Sequence, residues 1–218
     1  MVNRFNPEIY NSLVEIDEVK TKEGYNKALL PNIGKVIKKY GWENEVIVSL
    51  AHRHFDLQPD ERMVADYDLA KKEWISKPIV IDESKLIPWN WKVAYDSDRF
   101  KWKWYPLDFL YDIPKFAKEK KIVSKLIIDE IFLEELSVSI AREGAADVFG
   151  MALLMSRFND LTSDVVMFEK NDKVNRVSNS FFIPTKGLDN PEAITQWHFR
   201  NSNLYKVGPG PLRWCDHI

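Results

Sequence analysis

The chain has 218 residues, 45% of them hydrophobic and 13% aromatic, enough apolar material at this length to bury a sizeable core and to exclude general disorder. A formal net charge of -2 and a pI near 6.1 supply no global field for DNA, RNA or anionic lipid, so no nucleic-acid partner is expected. Cys215 is the single cysteine, which excludes a disulfide within the chain and points to a cytoplasmic location.

The first residues, Met1 to Glu8, lack the apolar run of a signal peptide and include an acid that transit peptides avoid. From Leu29 to Tyr40 the residues Leu29, Leu30, Ile33, Val36, Ile37 and Tyr40 recur at three- and four-residue spacings, with Lys35, Lys38 and Lys39 opposite. Gly41 follows. The spacing predicts an amphipathic helix with a glycine stop. The stretch from Glu45 to Phe55 is rich in β-formers and carries no helical stripe; Pro59-Asp60-Glu61 then reads as a turn and Met63 to Ala65 as a second strand. Further strands are expected at Pro78 to Ile81 and Trp89 to Ala94.

Shifted by 103 residues, the same order of elements returns. Phe132, Leu133, Leu136 and Ile140 repeat the helix stripe, Gly144 takes the place of Gly41, and Phe149, Met151 and Leu153 take the places of Val46, Val48 and Leu50. Val165 to Phe168, Phe181 to Ile183 and Gln196 to Phe199 supply the later strands. Ungapped identities between Leu29 and Asp68 are limited to Leu30, Ile37, Gly41, Leu50 and Phe55, so the repeated order carries the reading. A competing reading makes Glu130 to Phe158 one long helix, because Ala, Leu and Met dominate there. The longest apolar run, Val148 to Met155, is far short of the roughly 20 residues a membrane span needs, so no integral membrane association is expected.

The expected fold class is therefore α+β: one domain over 1–218, built of two diverged helix-plus-antiparallel-strand modules about a pseudo-two-fold axis. The repeats cover approximately 24–96 and 127–201. Residues 97–126, with a short basic helix from Pro114 to Lys121, form the connection, and 202–218 a C-terminal tail.

The leading candidate site is His52-Arg53-His54. On an extended strand His52 and His54 would share one face with Val46, Val48 and Leu50, so both imidazoles would approach the buried side. Such a pair can act as acid and base near neutral pH, or offer two nitrogens to a divalent metal such as zinc or iron. Cys215 and His217 are candidate further ligands, with Asp56, Glu61, Asp66 and His198 as other sources; the competing reading is a pair of histidines satisfied by backbone or carboxylates. Arg157 or His198 would face the pair across a cleft between the modules, Arg157 as a catalytic partner and Trp89, Trp91, Trp197 and His198 as a binding wall for a cofactor or ligand.

Between Trp89 and Tyr111 aromatic residues crowd together, with Arg99, Lys101 and Lys103 interleaved. This pattern allows a stacking surface, or an edge strand with Trp toward the core and Lys toward water. The chain has no G-x-x-x-x-G-K-[ST], G-x-G-x-x-G, H-E-x-x-H, C-x-x-C or G-x-S-x-G motif. The expected function is a small-molecule enzyme or ligand-binding protein using the histidine pair. A non-enzymatic interaction module with an aromatic-rich surface is the alternative.

The run Val48 to Leu57, containing His52-Arg53-His54-Phe55, followed by Glu61-Arg62-Met63-Val64, resembles a pattern in a largely fungal family of uncharacterised proteins with an H-x-H-F segment and a following E-x-x-V. The Trp197 region and the Cys and His near the end resemble the later part of that pattern, although one cysteine is fewer than the pattern carries. The resemblance implies no activity.

Overall fold

The computed structural model describes residues 2–19, 29–68, 70–155, 165–184, 193–199 and 210–216. Two short helices open the chain, α1 (Pro7–Asn11) and α2 (Ile16–Val19), and α3 (Leu30–Lys39) follows. The apolar stripe of α3 buries Leu30, Ile33, Val36 and Ile37. Gly41, at φ +75°, ends it in a left-handed conformation that costs glycine little.

The chain then forms β1 (Val46–Leu50), β2 (Glu61–Asp68), β3 (Glu73–Val80), β4 (Leu86–Asp96) and β5 (Lys101–Tyr111). Two helices come next, α4 (Ala117–Leu126) and α5 (Glu130–Arg142), then β6 (Phe149–Leu153), β7 (Val165–Asp172), β8 (Val177–Pro184), β9 (Ala193–His198) and β10 (Gly210–Asp216). Asp129 starts α5 by accepting from the Phe132 amide at 3.2 Å and also accepts from the Trp42 indole at 2.9 Å, tying α5 to the turn after α3. Trp42 stacks on Phe132.

The ten strands close into one barrel in the order β1-β6-β4-β5-β2-β3-β8-β7-β10-β9, with β9 returning to β1. Eight of these contacts are antiparallel, whereas β2–β5 and β7–β10 run parallel. The expected α+β architecture of two antiparallel modules is therefore corrected: the chain is mainly strand, and it builds a single mixed barrel. β1 takes both of its partners, β6 and β9, from beyond residue 140, and β4 also pairs with β6, so neither stretch holds a sheet of its own and there is no cleft between modules. The segment expected to be a connection contributes β5, which lies between β4 and β2. The stretch expected as a tail contributes β10. Phe149 to Leu153 is a strand, and α5 stops at Arg142, so the single long helix does not form.

Close approach between strands explains Gly150. A Cβ there would lie 2.1 Å from the Trp91 carbonyl oxygen, because β6 and β4 meet at Lys92 and Gly150. β4 also carries register shifts between Pro88 and Trp91, as expected where proline cannot donate to the ladder. The core holds β1 and β6 along their whole length together with the inner faces of α3 and α5. A second cluster, including Phe5, Tyr10, Leu13, Phe55, Met63 and Phe109, packs the N-terminal segment against the barrel. Among the described residues no helix is long and apolar enough to cross a membrane.

Candidate functional site

β1 is buried from Val46 to Leu50, and the chain leaves the ladder after Leu50. His52 and His54 therefore stand in the turn beyond β1 rather than on its face, which corrects the alternation expected from Glu45 to Phe55. They meet all the same: the rings lie 4.7 Å apart, edge to face at 76°. His52 Nδ1 is 3.1 Å from the Leu50 carbonyl oxygen. A carbonyl only accepts, so Nδ1 carries the proton and Nε2 is the acceptor nitrogen of the neutral ring.

Arg53, between them, turns away. Its guanidinium donates to the Asn11 carbonyl at 2.7 Å and pairs with Asp56 at 3.0 Å, and its amide donates to Val14. Asn11 in turn bonds both backbone groups of Leu57. The N-terminal segment thus latches the turn that carries both histidines.

His54 Nε2 lies 3.2 Å from Glu169 Oε1, and the Glu169 side chain is 1% exposed. Glu169 Oε1 also accepts from Ser178 Oγ at 2.5 Å. The carboxylate comes from β7, where Met167, Glu169 and Asn171 alternate inward, and the serine from β8, where Ser178 and Ser180 do the same. A carboxylate placed against one nitrogen fixes the tautomer and the plane of an imidazole.

Tyr10 completes the surroundings. Its hydroxyl is held well above the usual phenol range, first by burial and then by the Asp108 charge, with the His54 backbone acting the other way and Glu169 adding to the rise. Asp108 belongs to a second buried chain: Ser49 Oγ donates to Asn90 Oδ1 at 3.0 Å, and Asn90 Nδ2 donates to Asp108 Oδ2 at 2.6 Å.

Among the described candidate ligand and catalytic residues, the side chains of His52 and His54 are brought together. Trp89, Trp91 and Trp197 sit in the apolar core, Trp197 edge to face with Phe149, so they do not line a ligand wall. His198 ends β9, and its side chain lies outside the described residues, as do Arg157 and His217. Cys215 is placed by its backbone, at the register position of Glu169 on the neighbouring parallel strand. Among the described residues no three His, Cys, Asp or Glu side chains stand together as a metal-holding group, so the expected His52, His54, Cys215 and His217 metal set is not assembled there.

Glu169, Ser178, Tyr10 and Asp108 were not singled out from the sequence. For Glu169 a signal existed: period-two alternation carries Met167 inward and Glu169 with it, leaving Lys170 for solvent. The aromatic run between Trp89 and Tyr111 is largely core, since Trp89, Trp91, Trp104 and Phe109 are all buried. Lys103, read as solvent-facing, is buried against Asp96. Two surface grooves lie on the helical face instead, one of about 280 Å³ between the β4–β5 turn and α5, the other between α3 and α5. Compared with known proteins, the chain matches no family model, no curated protein and no solved structure.

Proposed function

We propose that the protein binds a small molecule at the His52–His54 pair, with the two imidazoles serving as acid and base. The observation that carries this reading is the contact between His54 Nε2 and the buried Glu169 carboxylate, with His52 packed edge to face on His54. A buried carboxylate behind one imidazole keeps that ring oriented, while the neighbouring ring presents an acceptor nitrogen. Proton transfer between a bound substrate and this pair is the chemistry such an arrangement supports. Among the described residues no three His, Cys, Asp or Glu side chains form a metal-holding group at the pair, and the proposal is stated for the imidazoles alone.

Thermal-shift measurements with a defined panel of small carboxylates, phosphates and amines test the reading. At least one compound class should raise the melting temperature of the wild type and leave His52→Ala and His54→Ala unmoved. Two variants that melt early but still respond to the same compound would make the histidines structural, and the proposal wrong. Replacement of His54 is also expected to cost about 1–3 kcal/mol through the buried carboxylate it leaves behind, whereas His52→Ala costs less.

A further inference from the structure

We infer that the exposed residues of α4, α5 and the turn between them form a self-complementary surface through which two copies of this chain associate about a two-fold axis. The reading rests on three exposed features that follow one another along the chain from α4 into α5.

The first is basic. On α4 the side chains of Lys118, Lys121 and Lys125 are exposed at spacings of three and four, which places them on one stripe. Among the described residues none of the three has an ion pair, in contrast to Lys120, which is engaged by Asp112 at 2.6 Å. The second feature is apolar. The turn into α5 exposes Ile127, Ile128 and Ile131 at 41%, 76% and 70%, large aliphatic side chains grouped within five residues, the kind of patch that marks a contact surface. The third is acidic. Glu130 and Glu134 are exposed on α5, one turn apart, and line the groove beside Phe100 and Trp102, again with no ion pair among the described residues.

Charge complementarity selects the occupant. A two-fold interface brings the same patch together from both copies, so residue i meets j and j meets i. A patch with an apolar centre, a cationic flank and an anionic flank satisfies that condition by itself: the lysine stripe of one copy faces the glutamates of its partner, twice. An anionic membrane would be repelled by Glu130 and Glu134, and a partner of one charge sign would leave one flank unmatched.

Phe100 adds an independent mark. It occupies the left-handed region at φ 53°, is 82% exposed and forms part of the groove wall. A bulky residue held at positive φ and in water has a conformational cost that no intramolecular burial offsets. Contact with a second copy would cover it.

Sedimentation equilibrium of the full chain tests the inference. Wild-type protein is expected to show a concentration-dependent dimer that weakens as salt is raised, and Ile128→Asp should lower self-affinity by more than about tenfold. The decisive measurement uses two charge variants, one with Lys118, Lys121 and Lys125 changed to Glu and one with Glu130 and Glu134 changed to Lys. Each alone should be monomeric, and the mixture should form a heterodimer, because every flank then faces the opposite sign. All substitutions are at exposed positions, and circular dichroism melts verify that the variants fold. A wild type that stays monomeric into the millimolar range, a dimer indifferent to Ile128→Asp, or a mixture that remains monomeric would each overturn the inference.

Discussion

The β1–β6 wall and the β7–β8 wall of the barrel solve the same packing problem in opposite ways. β1 and β6 are buried along their whole length, and α3 packs against β1. They present hydrophobic residues in almost every position, and Ser49 is the exception. β7 and β8 are buried on alternate residues, and their buried positions include Glu169, Asn171, Ser178 and Ser180. These are four of the twelve buried polar or charged side chains among the described residues. His54 comes from the turn that ends the apolar wall and meets Glu169 on the polar one, which locates the candidate chemistry at their junction. An apolar wall tolerates no change of shape; a polar wall tolerates no loss of a partner.

The largest effect should come from the apolar wall. Gly150→Ala places a methyl group 2.1 Å from the Trp91 carbonyl oxygen, a backbone atom that cannot rotate away, and overpacking of this kind should cost about 3 kcal/mol in urea denaturation. A neutral result would mean that β6 and β4 can separate without loss. On the polar wall, Glu169→Ala should cost about 2 kcal/mol, since it strands Ser178 and His54 in the interior, and Glu169→Gln should cost less because the amide still accepts from Ser178. Equal losses for the two variants would show that volume rather than hydrogen bonding decides there.

A smaller effect is expected where the β7–β8 turn reaches over to β2. Arg176 grips Glu61 with two bonds of 2.8 and 2.7 Å, and this pairing, more than burial opposes it, holds the Glu61 carboxyl below its ordinary value. Because the folded-state value is depressed, the pair contributes stability above about pH 4.5, and that contribution is lost as pH falls through the lower folded value. Arg176→Gln should therefore cost about 1 kcal/mol at neutral pH, discounted for the partial exposure of the guanidinium, and the gap to wild type should close in acid. A gap that persists at low pH would assign the loss to packing of the Arg176 stem. The smallest effect belongs to the exposed pair Lys39–Glu135 on the helical cover, 2.6 Å apart. Lys39→Met should leave the melting temperature within error at moderate salt.

Local elements were readable because their signals are local. The stripe and glycine stop of α3, the β character of Val46 to Leu50 and the strands around Met63, Trp89 and Val165 all follow from residue spacing. How those strands are joined was not readable. β1 lies between β6 and β9, and nothing in Val46 to Leu50 names a partner more than 100 residues away in sequence. A run buried on both faces loses the alternation that would orient it, so β1 and β6 gave an apolar signal without a direction. β5 was masked for another reason: Lys101 and Lys103 read as a water-facing edge, but Lys103 is carried inward by its pairing with Asp96. At the site, residue type marks the histidine pair, which lies beyond the end of β1 rather than on its face. The rings converge through a turn pinned by Asn11 and Val14. Glu169 was hidden because a lone acid in a strand declares a role only when the facing residue is known.

The closing pairs of the barrel bear on how the chain is made. β1 is complete once residue 50 has been synthesised, yet its ladder partners, β6 at 149–153 and β9 at 193–198, arrive much later. At about 5–20 residues per second, roughly 5 to 20 s separate β1 from its first partner. Through that interval a largely apolar strand has two open edges, the condition that favours pairing with other chains. The finished ring has no such edge, so the protein's exposure to aggregation is concentrated in its synthesis and refolding rather than in its native state.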